Sequence, residues 1–276
     1  MKLVVRDVEK RFASRQGDVA ALARVDLDLA EREFVSLVGP SGCGKSTLLH
    51  IIGGLERATA GKVLLDGEEV RSPGAEIGIV FQRQTLFPWL TIGKNVRFSL
   101  GLARHRLDAA SAEEGQRRDT WVENLLRAIG LWEFRDYHPN QLSGGMQQRA
   151  AIARALVARP DLLLMDEPFG ALDAQTREEM QELLLHLNRL HRTTTLFVTH
   201  DIDEALLLSD RVLVFSRRPG RIQREIAVPF AADARSAELK LDPAFIKLKR
   251  LVLAELHHAP SAERESFLLG SSSPER

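Results

Sequence analysis

The sequence predicts an α/β fold: a parallel-sheet core with a β-rich edge subdomain and a helical subdomain inserted into it. Three observations predict it. An apolar pentapeptide, Phe34–Val38, runs into a glycine-rich loop and then into apolar residues at helical spacing. Strand-sized apolar runs recur at residues 77–81, 162–165 and 195–199, with helical patterns after the later ones. Between residues 81 and 162 the strand pattern stops: Pro88, Gly93 and a charged stretch over 104–119 give way to helical spacing.

Taken in chain order, residues 2–5 and 25–29 read as β-type segments ahead of the Phe34–Val38 strand, and 47–52 as the helix after the loop. Residues 63–65, just before the Asp66-Gly67 turn, read as a further strand. In the insertion, Trp121, Leu125, Leu126 and Ile129 recur at helical spacing. Pro139 interrupts, and Ser143 is placed to cap a helix reaching about Ala158. Strand 162–165, helix 175–190, strand 195–199, a short helix over 203–208 and a closing strand over 212–215 follow. An apolar-striped helix over 245–256 comes last. The serine, proline and charge content of 270–276 predicts disorder. The expected division is a core of residues 1–84 and 160–225, a helical subdomain over 85–159, a helical extension over 226–260 and a disordered tail over 261–276.

A chain of 276 residues can bury a substantial core without metals or disulfides. Its 38 basic residues balance 38 acidic ones, which argues against a strongly basic nucleic-acid binder. The lone cysteine, Cys43, suits a reducing compartment. The start of the chain carries alternating charges rather than a basic leader with an apolar centre, and no apolar run approaches the roughly 20 residues needed to cross a bilayer. A cytosolic protein is expected, with any membrane role supplied by a partner.

The loop Gly39-Pro40-Ser41-Gly42-Cys43-Gly44-Lys45-Ser46-Thr47 has the makings of a phosphate cradle. Its glycines let successive N–H groups point inward at a polyphosphate, and the following helix adds its positive end. Lys45 then offers a mobile charge to the outer phosphates, and the Ser46 hydroxyl can complete a magnesium shell. Asp166 and Glu167 directly follow the buried run at 162–165, so both carboxylates emerge at a strand end facing the loop. Asp166 can hold a water of the magnesium shell, while Glu167 can take a proton from an attacking water. Residues Ser143, Gly144, Gly145, Met146 and Gln147 form a second glycine-rich helix entry with exposed N–H groups. One nucleotide has no evident use for both ends, and head-to-tail dimerisation is the economical answer.

Together these residues resemble the ATP-binding-cassette (ABC) ATPases, P-loop enzymes in which two subunits sandwich two ATP molecules; the likeness runs from Val4 to about Ile222. It implies ATP and Mg2+ as ligands, with Ser46, Gln82 and Asp166 about the metal. It also implies that Phe12 stacks on adenine, that Gln82 touches the metal or the water, and that His200 contacts the γ-phosphate. Ser143, Gly144, Gly145 and Gln147 would meet the ATP of the opposite subunit, and Asp173 would link the two halves. Met146 departs from the commoner glutamine without altering the backbone donors. The implied partners are a second copy, integral membrane permease subunits and, indirectly, a solute-binding protein, with no nucleic acid. Residues 84–90 carry large apolar groups that either pack within the lobe or line a groove for a permease helix. Residues 80–91, with Arg218-Pro219-Gly220-Arg221-Ile222, resemble the nitrate, sulfonate and taurine importer branch, and place the protein on the cytoplasmic side of a bacterial inner membrane. An exporter ATPase, or a soluble cassette acting on nucleic acid or ribosomes, is the alternative.

Overall fold

The computed structural model describes residues 1–13, 17–83, 85–102 and 112–257. The expected disorder of 270–276, the 261–276 tail, Gln84 and much of the charged stretch 104–119 lie outside the described residues. Two sheets organise the chain. A six-stranded sheet has the order β10-β9-β3-β8-β7-β6, from Ile222–Ala227, Arg211–Phe215, Phe34–Val38, Thr194–Thr199, Leu162–Asp166 and Ile77–Val80. All its neighbours are parallel except β10, which runs antiparallel to β9. A four-stranded antiparallel sheet, β2-β1-β4-β5, joins Val19–Leu29, Leu3–Phe12, Ala60–Leu65 and Glu68–Glu69.

Period-two alternation sends the strand side chains of the larger sheet into two separate cores. Val35, Leu37, Leu162, Leu164, Leu196, Val198, Leu213 and Phe215 face helix α1 (Lys45–Ile52) and the antiparallel sheet. Phe34, Val38, Leu163, Met165, Phe197, Val212 and Val214 share the opposite cluster with helices α2 (Ile92–Leu102), α3 (Ala112–Ala128), α4 (Gly144–Leu156), α5 (Ala174–His191), α6 (Ile202–Leu208) and α7 (Pro243–His257). The inserted helices α2–α4 therefore have no core of their own: Val122, Leu125, Leu126 and Ile129 are packed into the cluster that covers the sheet.

Several boundaries differ from expectation, each for a physical reason. Strands β1 and β2 run well beyond residues 2–5 and 25–29. Their register slips between Val5 and Val8, with Asp7 (φ 50°) and Arg24 (φ 39°) in the left-handed region, so a β-bulge breaks the alternation by which a strand is read. Strand β9 does not close the sheet. β10 does, hidden in the sequence because it is an edge strand whose charged Arg224 and Glu225 face outward while Ile226 is buried. Asp66 (φ 50°) and Gly67 (φ 84°) make the expected tight turn between β4 and β5.

Candidate functional site

The phosphate loop leaves β3 and enters α1 at Gly44, whose φ of 109° lies where side chains are strained. A methyl at that position would also stand 2.8 Å from the Ala21 carbonyl oxygen, so the loop rests directly on β2. The segment after β9 closes on the same strand: Gly220 N–H donates to Ala21 O at 2.9 Å, and Ala23 N–H donates to Gly220 O at 3.0 Å. Residues 218–221, part of the segment that resembles the importer branch, thus buttress the strand on which the phosphate loop rests.

Lys45 departs from the expected mobile charge. It is only 4% exposed, and its ammonium donates to Gly39 O at 2.9 Å and Pro40 O at 3.0 Å. Were Lys45 to meet a phosphate, it would exchange these two neutral acceptors for one charged group. Cys43 is buried in the loop, and burial pushes its thiol upward in spite of the nearby Lys45, which suits an inert packing residue better than a nucleophile.

The two strand-end acids lie where the sequence puts them. Ser46 Oγ donates to Asp166 Oδ1 at 2.9 Å across the gap between α1 and β7. Asp166 is nearly buried, and that burial raises its carboxyl above the usual range against the opposing Ser46 hydrogen bond. The hydroxyl–carboxylate pair is a hard-oxygen donor set fitting Mg2+, which commonly takes one or two protein ligands and leaves the rest to phosphate and water. Among the described residues no group of three or more His, Cys, Asp or Glu side chains could hold a metal ion.

Glu167 turns the chain out of β7 in the left-handed region (φ 43°), held by its N–H donating to Val198 O at 2.8 Å. One carboxylate oxygen, Oε2, lies 3.1 Å from His200 Nδ1 and accepts from Gln82 Nε2 at 3.3 Å. The ends of β6, β7 and β8 therefore bring Gln82, Glu167 and His200 together, beside the loop fed by the neighbouring β3. Phe12, at the end of β1, is 38% exposed, with the Lys10 ammonium 4.7 Å from its ring centroid.

The second glycine-rich turn stands apart. Ser143 caps α4, its Oγ accepting from Met146 N–H at 3.4 Å, and Gln147 Nε2 donates back to Leu142 O at 3.1 Å. Ser143 and Gly144 are exposed, and among the described residues no hydrogen bond joins this turn to the phosphate loop of the same chain. Asp173 caps α5 with both oxygens engaged: Oδ1 accepts from Thr176 N–H at 3.0 Å and Oδ2 from the Thr176 hydroxyl at 2.7 Å. Those Thr176 bonds hold its carboxyl below the usual range. The two caps are neighbours, since a methyl on Gly145 would sit 2.4 Å from Thr176 Cγ2.

Within residues 85–91, packing inside the lobe does not account for Trp89, which is 71% exposed. Phe87 and Phe98 pack with their rings tilted, centroids 4.6 Å apart, and Trp89 leans on Phe87 at 5.4 Å. Asn95, fully buried, shapes this loop by accepting from Phe87 N–H and donating to the carbonyls of Phe87, Leu90 and Thr91. The sequence reading missed Asn95, because a single polar residue inside an apolar helical pattern looks like an exposed position.

Comparison with known proteins adds an independent line. Residues 22–170 match the family described as ABC transporter. The nitrate import ATP-binding protein NrtD of Synechocystis sp. is 42% identical over 97% of this chain and 99% of its own. The taurine import ATP-binding protein TauB of Jannaschia sp. is 44% identical, over 91% of this chain and 92% of its own. The aliphatic sulfonates import ATP-binding protein SsuB of Bacillus cereus is 44% identical over 82% and 86%. Among solved structures, the dimeric post-hydrolysis ATP-binding cassette MJ0796 bound to ADP and Pi superposes with a TM-score of 0.71 at 37% identity, covering 83% of this chain and all of that one.

Proposed function

The chain belongs to the ABC transporter family, and from that premise we propose that it is the ATP-hydrolysing subunit of an importer for a small anionic or zwitterionic solute such as nitrate, a sulfonate or taurine. The observation that carries the site reading is the convergence of Gln82 and His200 on one oxygen of Glu167, beside the Ser46–Asp166 pair.

In this reading the loop N–H groups and Lys45 hold the β- and γ-phosphates, and Phe12 stacks on adenine. Ser46, Asp166 and Gln82 hold Mg2+, which neutralises charge on the transferring phosphoryl group. Glu167 takes the proton of the attacking water. His200 orients the Glu167 carboxylate through Nδ1 and presents its other nitrogen toward the γ-phosphate; Gln82 fixes the same carboxylate oxygen through its amide N–H. Ser143, Gly144, Gly145 and Gln147 of a second copy complete the far side of the nucleotide, with Asp173 near the junction. The dimeric cassette to which the chain is similar supports that arrangement.

Among the described residues no helix is long and apolar enough to cross a membrane, so in this proposal transport runs through separate permease subunits. The chain would sit on the cytoplasmic side, with Trp89, Phe87 and Phe98 offering the apolar surface for a permease helix and a solute-binding protein acting from the other side. Hydrolysis in proteoliposomes holding the chain and its permease tests the reading. Stimulation by nitrate, taurine or an alkanesulfonate is expected, and turnover indifferent to all three in the presence of the binding protein would overturn the solute assignment.

A further inference from the structure

Glu204, on α6, is 3% exposed, and Thr199 (2%) and Gln181 (3%) close over it. The Thr199 hydroxyl donates to Glu204 Oε2 at 2.6 Å and accepts from Asp201 N–H at 3.0 Å. One hydroxyl therefore ties the residue before His200 to the residue after it, and the buried carboxylate fixes the direction of that hydroxyl's proton. Facing the other carboxylate oxygen, Gln181 Nε2 stands at 3.5 Å and Arg177 Nε at 3.7 Å. Arg177 also donates to Leu172 O at 3.0 Å, next to Asp173, and lies 3.8 Å from the Asp201 carboxylate. Gln181 in turn accepts from Lys240 Nζ at 2.9 Å, and Lys240 belongs to the C-terminal extension.

Such an arrangement is poorly chosen for stability alone. Burial pushes the Glu204 carboxyl upward, the Asp201 charge adds to that, and the Thr199 bond and Arg177 only oppose it. A folded state that holds this proton above the ordinary 4.5 is most stable below that value and loses stability as pH rises through the raised one. Burying an ionisable carboxyl costs free energy that an apolar group packed there would not. What the carboxyl maintains is the geometry of the segments around His200 and Asp173.

We propose that Glu204 is a positioning residue for hydrolysis, which through Thr199 fixes the backbone on both sides of His200 and through Gln181 and Lys240 joins that hold to the C-terminal extension. The proposal rests on His200 acting at the γ-phosphate. Turnover, KM for ATP and thermal midpoint are measured on the full-length chain for H200A, E204Q, T199V, T199S and K240A. H200A is expected to abolish turnover. E204Q and T199V are expected to lower kcat about tenfold at unchanged KM, T199S to restore it, and K240A to lower it about two- to threefold. The E204Q midpoint should equal or exceed that of the parent, because the substitution keeps the shape and removes an ionisable group from a buried site. Wild-type kcat in both E204Q and T199V beside an inactive H200A would overturn the positioning role while sparing the site reading; so would a kcat loss matched by a fall in midpoint. Full activity in H200A would instead remove the premise, and full activity in K240A beside an impaired E204Q would sever the extension.

Discussion

Two glycine-rich helix starts, at Gly44 and at Ser143, look alike in sequence and differ in what they do with their polar groups. The first is wrapped by its own chain: it lies on β2, its lysine is buried against its own carbonyls, and its serine is bonded to a strand-end acid. The second has Ser143 and Gly144 exposed, is capped by its own serine, and among the described residues has no hydrogen bond to the first. In the proposed function the first is a complete receptor for phosphate and the second is half of one. An exposed helix end suits the proposed head-to-tail dimer, in which the anion that its N–H groups meet would arrive on a second copy.

The sharpest test of this contrast arrests chemistry without disturbing either end. E167Q should retain ATP and cut turnover by roughly 10²- to 10⁴-fold, the usual contribution of a general base, while light scattering detects a trapped dimer; a monomer saturated with Mg-ATP alongside its permease would break the half-site reading. S143R should fill the exposed turn, leave nucleotide binding intact in calorimetry, and lower turnover about 10²-fold through loss of preorganised donors. K45A should act on binding: loss of a charge-assisted contact of roughly 1.5–3 kcal/mol weakens ATP affinity by about one to two orders of magnitude, read by the same calorimetry. The smallest effect is expected from D173N. Asparagine caps a helix as well as aspartate, so the thermal midpoint should hold at neutral pH, where the Asp173 hold on Thr176 is complete; it weakens only as acid protonates a carboxyl already held below the usual range. A D173N turnover deficit at unchanged midpoint would show a role beyond the cap.

Much of the core was legible because buried parallel strands read as continuous apolar runs, and Phe34–Val38 and Leu162–Asp166 did so. Cap chemistry was legible too: Ser143 bonds the first turn of the helix it precedes. The bulged halves of β1 and β2 and the charged edge strand β10 were not, since a local pattern cannot separate an outward-facing charge on a strand from one in a loop. Nor could it find Asn95, Arg177 or Glu204, polar residues whose burial depends on what packs over them.

By itself the sequence determined the phosphate loop, the strand-end acids, the capped second turn and the family they spell, because each is a short run whose chemistry is set by neighbours in the chain. Only the tertiary structure decided that Gln82, Glu167 and His200 meet on one carboxylate oxygen, that Lys45 is stowed against its own loop, and that Trp89 is left to solvent. The meeting at Glu167 hangs on strand order, and contacts between residues scores of positions apart leave no periodicity to be read; the place of Lys45 and of Trp89 hangs on the fold of a loop, which residue pattern does not set.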